Sequence, residues 1–261
     1  TGSAGFIGFH VTKALCARGE EVIGLDNLND YYDVKLKSAR LKQLKKYADK
    51  GLFTFNKVDI SDYESLKNST KPYSKKITGI IHLAAQAGVR YSMEHPFNYA
   101  QSNVTGQLSM LELCRILPKL KHFVYASSSY GAKEELPYSV AQKTDRPISL
   151  YAATKKAAEL MSYSYSHLYG IPMTGLRFFT VYGPWGRPDM AYFLFTKAIT
   201  AGKTIDVFAG GKFRRDFTYI DDIVAGILAA LKKLPVKKKN SPPHALYNLG
   251  NDKTENVMDL I

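Results

Sequence analysis

Cysteine is scarce in this chain of 261 residues, with Cys16 and Cys114 the only two. Each sits in a helical pattern without a Cys-x-x-Cys or histidine partner. That excludes a disulfide framework and leaves buried free thiols, the usage of a reducing compartment, so a cytoplasmic location is expected. The six histidines show no ligand spacing, no metal is expected, and His82, inside an apolar run, reads as a core residue. No apolar stretch approaches the length of a bilayer crossing, so no membrane contact is expected within these residues. Internal repeats and low-complexity segments are absent too.

Acidic residues are outnumbered, 23 Asp and Glu against 36 Lys and Arg, for a formal net charge of +13. An excess of that size invites a nucleic-acid reading, but its distribution argues otherwise. Seven basic residues lie between Lys35 and Lys50, spaced around Val34, Leu41, Leu44 and Ala48 like the solvated face of an amphipathic helix. Five lysines lie between Lys232 and Lys239, in a stretch punctuated by Pro235, Pro242 and Pro243. No nucleic-acid partner is expected; a basic chain does attract a polyanionic small substrate.

What is present begins with Thr1-Gly2-Ser3-Ala4-Gly5-Phe6-Ile7-Gly8. Gly2 permits a tight turn, Gly5 lets backbone amides approach a pyrophosphate, and Gly8 lets a helix pack closely on a sheet. A second strand, Glu21 to Leu25, ends in Asp26, eighteen residues after Gly8. A carboxylate there accepts both adenosine-ribose hydroxyls, and no arginine follows it to welcome a 2′-phosphate, so NAD is favoured over NADP. A strand is expected in front of the turn, and Thr254 to Ile261 reads as a helix that has only begun, so the chain is taken as a fragment.

Short apolar strands alternate with amphipathic helices, the pattern of a parallel sheet covered on both faces. Strands are predicted at 21–26, 53–58, 77–83, 122–127 and 172–179, and helices at 6–18, 34–50, 62–69, 96–117 and 150–168. The fold class is therefore α/β, a Rossmann-type doubly wound parallel sheet, over residues 1–180. After residue 183 the rhythm breaks into a loop, a helix and short strands near 205–208 and 215–219. Residues 181–261 are assigned to a smaller substrate domain, with the helix from Asp221 to Leu231 returning to the first.

In a doubly wound fold the ligand side lies beyond the carboxyl ends of the strands. Asp26, Asp59, Leu83-Ala-Ala-Gln86, Ser127-Ser-Ser129 and Thr180 fall there. Tyr151 and Lys155, four apart, share one helix face, and an ammonium beside a phenol favours the phenolate. The spacing alone is shared by Tyr31 with Lys35 and Tyr63 with Lys67, so position decides for Tyr151. A hydroxyl of the serine cluster is placed to bond a substrate oxygen beside it. Arg90, Arg187 and Arg215 fall on the same side and would suit a diphosphate and a carboxylate.

Gly2-x-x-Gly5-x-x-Gly8, Asp26-Asn-Leu28, Asp59-Ile60, Leu83-Ala-Ala85, the serine cluster and Tyr151-x-x-x-Lys155 together resemble the extended short-chain dehydrogenase/reductases that act on nucleotide sugars. Within that group, residues 26–33, 85–92, 177–190 and 215–222 look like those of UDP-glucuronate 4-epimerases. The resemblance implies a tightly held NAD⁺ and a UDP-glucuronate substrate. It implies Tyr151 as the base at the sugar 4-hydroxyl, Lys155 tuning it and holding the nicotinamide ribose, and Ser128 bonding the same oxygen. Phe6, Ile7, Asn27, Ile60, Leu83, Ala84, Ala85 and Phe178 would complete the cofactor site. Thr180 would help accept the C6 carboxylate, Arg90, Ser129 and Arg187 would lie near the sugar, and Arg215 near the phosphates.

One departure stands out: relatives carry four small hydroxyl residues and a valine before Tyr-Gly, whereas here Ser129 runs directly into Tyr130-Gly131. Alternatives at this stage are another UDP-sugar epimerase, a decarboxylase or dehydratase of the same fold, and a non-catalytic NAD-binding module. A homodimer is expected through helices 96–117 and 150–168.

Overall fold

The computed structural model describes residues 1–128, 139–207 and 214–261. Ser129, the shortened loop at Tyr130-Gly131 and Phe208 lie outside the described residues. Five strands fall where the alternation predicts: β1 (Val22–Asp26), β2 (Phe53–Lys57), β3 (Gly79–His82), β4 (His122–Ser128) and β5 (Met173–Phe178). Helix α1 (Phe6–Ala17) precedes β1, and α2 (Val34–Ala48) and α3 (Tyr63–Thr70) run between β1 and β2 and between β2 and β3. Local chemistry sets their starts, since Asp33 accepts the Lys35 amide at 2.8 Å and Asp62 the Ser65 amide at 3.0 Å.

The helix predicted over 96–117 runs from Pro96 to Ile116 and contains a π-helical segment. Short turns α4 (Tyr91–Glu94) and α5 (Pro96–Tyr99) lead through a π-helical segment, Ala100–Thr105, into α6 (Gly106–Ile116). Within that segment the Asn103 side-chain amide pairs with the Gln86 backbone, accepting its N–H and donating to its carbonyl. A single π turn accommodates such a residue. The catalytic-side helix α7 (Leu150–Tyr169) is continuous, capped by Ser149 on the Ala152 amide at 3.2 Å and closed by Gly170 at φ 67°.

Beyond it come β6 (Thr180–Tyr182), α8 (Ala191–Thr200), β7 (Arg214–Tyr219), α9 (Ile220–Lys232), β8 (His244–Leu249) and β9 (Thr254–Asn256). Ile205 to Val207 form no strand. Thr254 to Ile261 is not a nascent helix: β9 pairs antiparallel with β7, and only Val257–Leu260 turns helically, as a 3₁₀ segment. β8, which periodicity does not reveal, joins the main sheet by pairing with β5.

The main sheet runs β3-β4-β5-β8, all parallel, and β1 with β2 forms a parallel pair beside it. The first residues join the two: the Thr1 nitrogen donates to the Ile81 carbonyl at 2.8 Å and the Gly2 amide to the Leu25 carbonyl at 2.7 Å. Alternation along β4 sorts the core into two layers. Phe123 and Tyr125 pack with Met110, Leu111 and Leu113 of α6, whereas Val124 packs with Ile223 and Ile227 of α9 and with Phe6 and Val11 of α1. Helices therefore cover both faces, the doubly wound arrangement.

Cys16 and Cys114 are buried and unpaired in α1 and α6. His82 is buried and stacked on Phe123, as a core residue should be. The amphipathic reading of α2 needs one correction, because Lys37 and Arg40, assigned to its solvated face, are buried.

The closest approach in the fold is at the glycine turn, where a Cβ on Gly8 would lie 2.0 Å from the Gly2 carbonyl oxygen. Backbone cannot yield as a flexible side chain can. Gly8→Ala is therefore expected to lose about 3 kcal/mol or more of stability, read from the midpoint of urea unfolding.

Candidate functional site

Beyond the carboxyl ends of β1, β3, β4 and β5 lies a cavity of about 910 Å³. One wall is the glycine turn. Gly2 adopts φ 72°, and a Cβ there would meet the Ala84 amide nitrogen at 2.9 Å, so only glycine fits between the turn and the end of β3. Gly5 has an ordinary φ of −74° and serves by close approach alone, its would-be Cβ lying 3.0 Å from the Gly2 oxygen. No side chain caps α1, and Phe6, Ile7 and Gly8, whose amides have no intrahelical acceptor, line the cavity. An anionic diphosphate fits that uncapped N-terminus.

Asp26 ends β1 on the same wall, buried, and accepts the Ala4 amide at 3.1 Å and the Leu28 amide at 2.9 Å. Asn27 donates to Asp59 at 3.0 Å, and Ser61 donates to Asp59 through both its amide and its hydroxyl. Burial alone would raise the Asp59 pKa; these hydrogen bonds outweigh it and hold the carboxyl below its usual range. Ile60, Leu83, Ala84 and Ala85 complete this side. An acidic strand end beside an apolar shelf fits an adenosine.

The opposite wall belongs to α7 and the ends of β4 and β5. Tyr151 and Lys155 both line the cavity, with the Lys155 ammonium 6.0 Å from the Tyr151 ring centre. Lys155 is buried, donates to the Ala126 carbonyl at 3.2 Å, and has its pKa pulled down to about 8 by loss of water. Ser127 and Ser128 both reach this wall. The Ser127 hydroxyl donates to Glu159 at 2.7 Å, and Glu159 also accepts Arg177 through both carboxylate oxygens, at 2.7 and 2.8 Å. Ser128 stands in register with Phe178, which also lines the cavity.

At the far end are Arg90, Thr180 and Arg187. The Arg187 fork binds Asp189, and Tyr31 donates to the same carboxylate at 3.0 Å. Desolvation would lower the Arg187 pKa, yet the Asp189 carboxylate raises it further still; Arg187 in turn holds Asp189 down against its burial.

The cavity thus gathers the expected cofactor residues, Tyr151, Lys155, Ser128, Thr180, Arg90 and Arg187. Arg215 is half-buried on β7 and does not line it. Ser129 lies outside the described residues. Of the competing Tyr–Lys pairs, Tyr31 also lines the cavity but donates to Asp189, while Tyr63 and Lys67 do not line it.

Sequence reasoning missed Glu159, Asn103 and Arg40. Glu159 follows Lys155 by one helical turn, a spacing that could have signalled it. Asn103 links the β3 end to α7, donating to the Gln86 carbonyl and the Thr154 hydroxyl, each at 3.0 Å. Nothing in the sequence sets it apart from Asn98, Gln101 and Gln107 on the same stretch.

Residues 1–250 match the NAD dependent epimerase/dehydratase family. UDP-glucuronate 4-epimerase 4 of Arabidopsis thaliana is 51% identical over 272 residues, an alignment covering all of this chain and 61% of that protein. An uncharacterized 37.6 kDa protein of Escherichia coli O111:H- is 50% identical over 274 residues, covering all of this chain and 80% of its own length. The crystal structure of UDP-glucuronic acid 4-epimerase from Bacillus cereus, in complex with UDP-glucuronic acid and NAD, superposes with a TM-score of 0.82 at 33% identity, over 99% of this chain and 78% of that one.

Two outcomes follow from the α7 wall. Removing one partner of the buried Glu159–Arg177 pair, as in Glu159→Ala, should cost about 3–5 kcal/mol, measured by chemical denaturation. For cofactor-free protein, Lys155 binds its proton less tightly folded than unfolded. Between pH 8 and its unfolded pKa near 10.4 the unfolded state therefore holds more protons, and this group's contribution to stability rises with pH. The stability advantage of Lys155→Met over wild type should accordingly shrink from pH 8 to 10 in urea titrations.

Proposed function

The chain belongs to the NAD dependent epimerase/dehydratase family, and from that premise we propose that it inverts C4 of UDP-glucuronate to give UDP-galacturonate. The observation that carries this reading is one cavity with the uncapped glycine turn and Asp26 on one wall and Tyr151, Lys155 and Ser128 on the other. The similarity to UDP-glucuronate 4-epimerases supports it. Gly2, Gly5, Gly8, Asp26 and Lys155 would hold NAD⁺, which supplies reversible hydride acceptance at C4, chemistry no side chain provides.

Tyr151 removes the proton of the 4-hydroxyl and later returns it. Near neutral pH Lys155 still carries its proton, since its pKa is about 8, and that charge favours the phenolate over the phenol. Ser128 hydrogen-bonds the same sugar oxygen and fixes the direction of proton transfer. Thr180 and Arg187 meet the C6 carboxylate, with Arg90 at the exposed rim. Arg215, on β7, is assigned to the UDP phosphates by the same resemblance.

The same reading includes a homodimer. Leu108 and Ile116 of α6 and Leu160, Tyr163 and Leu168 of α7 are exposed apolar residues on the two helices expected to pair. No helix among the described residues is long and apolar enough to cross a membrane.

The test is incubation with UDP-glucuronate, without added cofactor, while proton NMR follows the anomeric region. UDP-galacturonate should accumulate, and Tyr151→Phe should lower kcat by about 10²–10⁴-fold while bound NAD is retained. Formation of UDP-xylose would mean decarboxylation instead. Failure to turn over this or any neutral UDP-sugar would leave only a cofactor-binding role.

A further inference from the structure

Arg40 is the largest fully buried side chain in the described residues, with no exposed surface. Its acceptors are neutral oxygens from three separate parts of the chain. Nε and Nη2 donate to the Trp185 carbonyl at 3.1 and 2.7 Å, and Nη2 also to the Gly186 carbonyl at 3.2 Å. Nη1 donates to the Ala4 carbonyl at 2.9 Å and the Tyr32 hydroxyl at 2.6 Å. A buried guanidinium is costly unless its donors are satisfied, and a planar fork satisfies them only in a fixed geometry.

What the fork holds is informative. Ala4 belongs to the glycine turn, and Trp185-Gly186 immediately precedes Arg187. Trp185 stands at φ 61°, a left-handed conformation that a bulky residue adopts only when its surroundings force it. Its carbonyl is the one that Arg40 grips twice. The same segment is seated on α1 by an edge contact of the Trp185 ring with Phe9, centres 5.9 Å apart, and by His10 donating to the Pro184 carbonyl at 2.9 Å.

We propose that Arg40 is a positioning residue for the sugar end of the cavity: it locks the strained Trp185-Gly186 segment to the glycine turn and so sets where Arg187 stands. The turn that faces the diphosphate and the arginine that faces the sugar are thereby held as one unit. Arg40 itself touches neither ligand. The inference rests on the proposed reading in one respect, that Arg187 contacts the substrate.

Trp185 is the only tryptophan in the chain, so its fluorescence reports this segment directly. Arg40→Met and Arg40→Lys would be compared with wild type as cofactor-loaded proteins. In Arg40→Met the emission should shift to the red and acrylamide quenching should increase. KM for UDP-glucuronate should rise about tenfold or more, as expected for losing several charge-assisted hydrogen bonds, with kcat changed far less. Arg40→Lys, which keeps the charge without the fork, should shift in the same directions, and it decides the matter if Arg40→Met does not fold.

A merely structural role would lower the melting temperature while leaving emission, quenching and KM at wild-type values, and that result in either folded variant would overturn the proposal. If wild type does not turn over UDP-glucuronate, the epimerase reading has failed. Quenching, together with UDP-glucuronate binding measured by calorimetry, then still decides whether Arg40 sets this end of the cavity.

Discussion

The fold depends on a contact that leaves no room for a side chain: the start of α1 against the carbonyl of Gly2. Gly5 donates its amide to that carbonyl at 2.9 Å, and Gly8 passes so close that any Cβ would overlap it. The turn is pinned on both flanks as well, to β1 through Leu25 and to β3 through the Ala84 backbone that presses on Gly2. Position of the helix, register between the two parallel units and the floor of the cavity are consequently one constraint. Uncapped amides at that helix start are its chemical product, since a side-chain cap would fill the space an anion needs.

The opposite wall is built on a different principle. Glu159 and Arg177 are both buried, and two charges taken from water gain little net stability from each other. What the pair supplies is position. One carboxylate receives Arg177 from β5 and Ser127 from β4 while standing one turn beyond Lys155 on α7. Helix α7 is thereby tied to the ends of β4 and β5, and Asn103 adds a third tie from the end of β3 through Thr154 and Gln86. Sub-ångström placement of a phenol against a sugar hydroxyl requires such cross-bracing.

These two walls were not equally legible in the sequence. The glycine turn, Asp26 and Asp59 are read from local spacing, because the constraints behind them act within one turn or one strand end, whereas the Tyr151–Lys155 pair is singled out by its place after the serine-ended strand. The parallel sheet is likewise written in the strand–helix alternation. Contacts that join distant segments leave no such trace. Arg40 reads as one more cation on a basic helix face until the loop at Trp185, far away in the chain, supplies its acceptors. β8 is hidden because its half-buried edge position needs no strict alternation, and the π segment after Tyr99 has no mark in the local pattern.

Charge is arranged so that the two ends of the cavity answer differently to pH. At the sugar end, Arg187 and Asp189 hold each other ionised, the first raised and the second lowered, and burial beside Asp189 pushes Tyr31 up to about 12. None of the three changes protonation between about pH 5 and 10, so Arg187 keeps its partner and its orientation throughout. In the proposed site a uronate would meet an arginine already shared with Asp189, and would gain direction there more than net attraction. At the chemical end, Lys155 lies alone near the middle of that interval, because its burial is compensated by a carbonyl and not by a carboxylate. Recognition is thereby insulated from pH while the group that tunes the base is not.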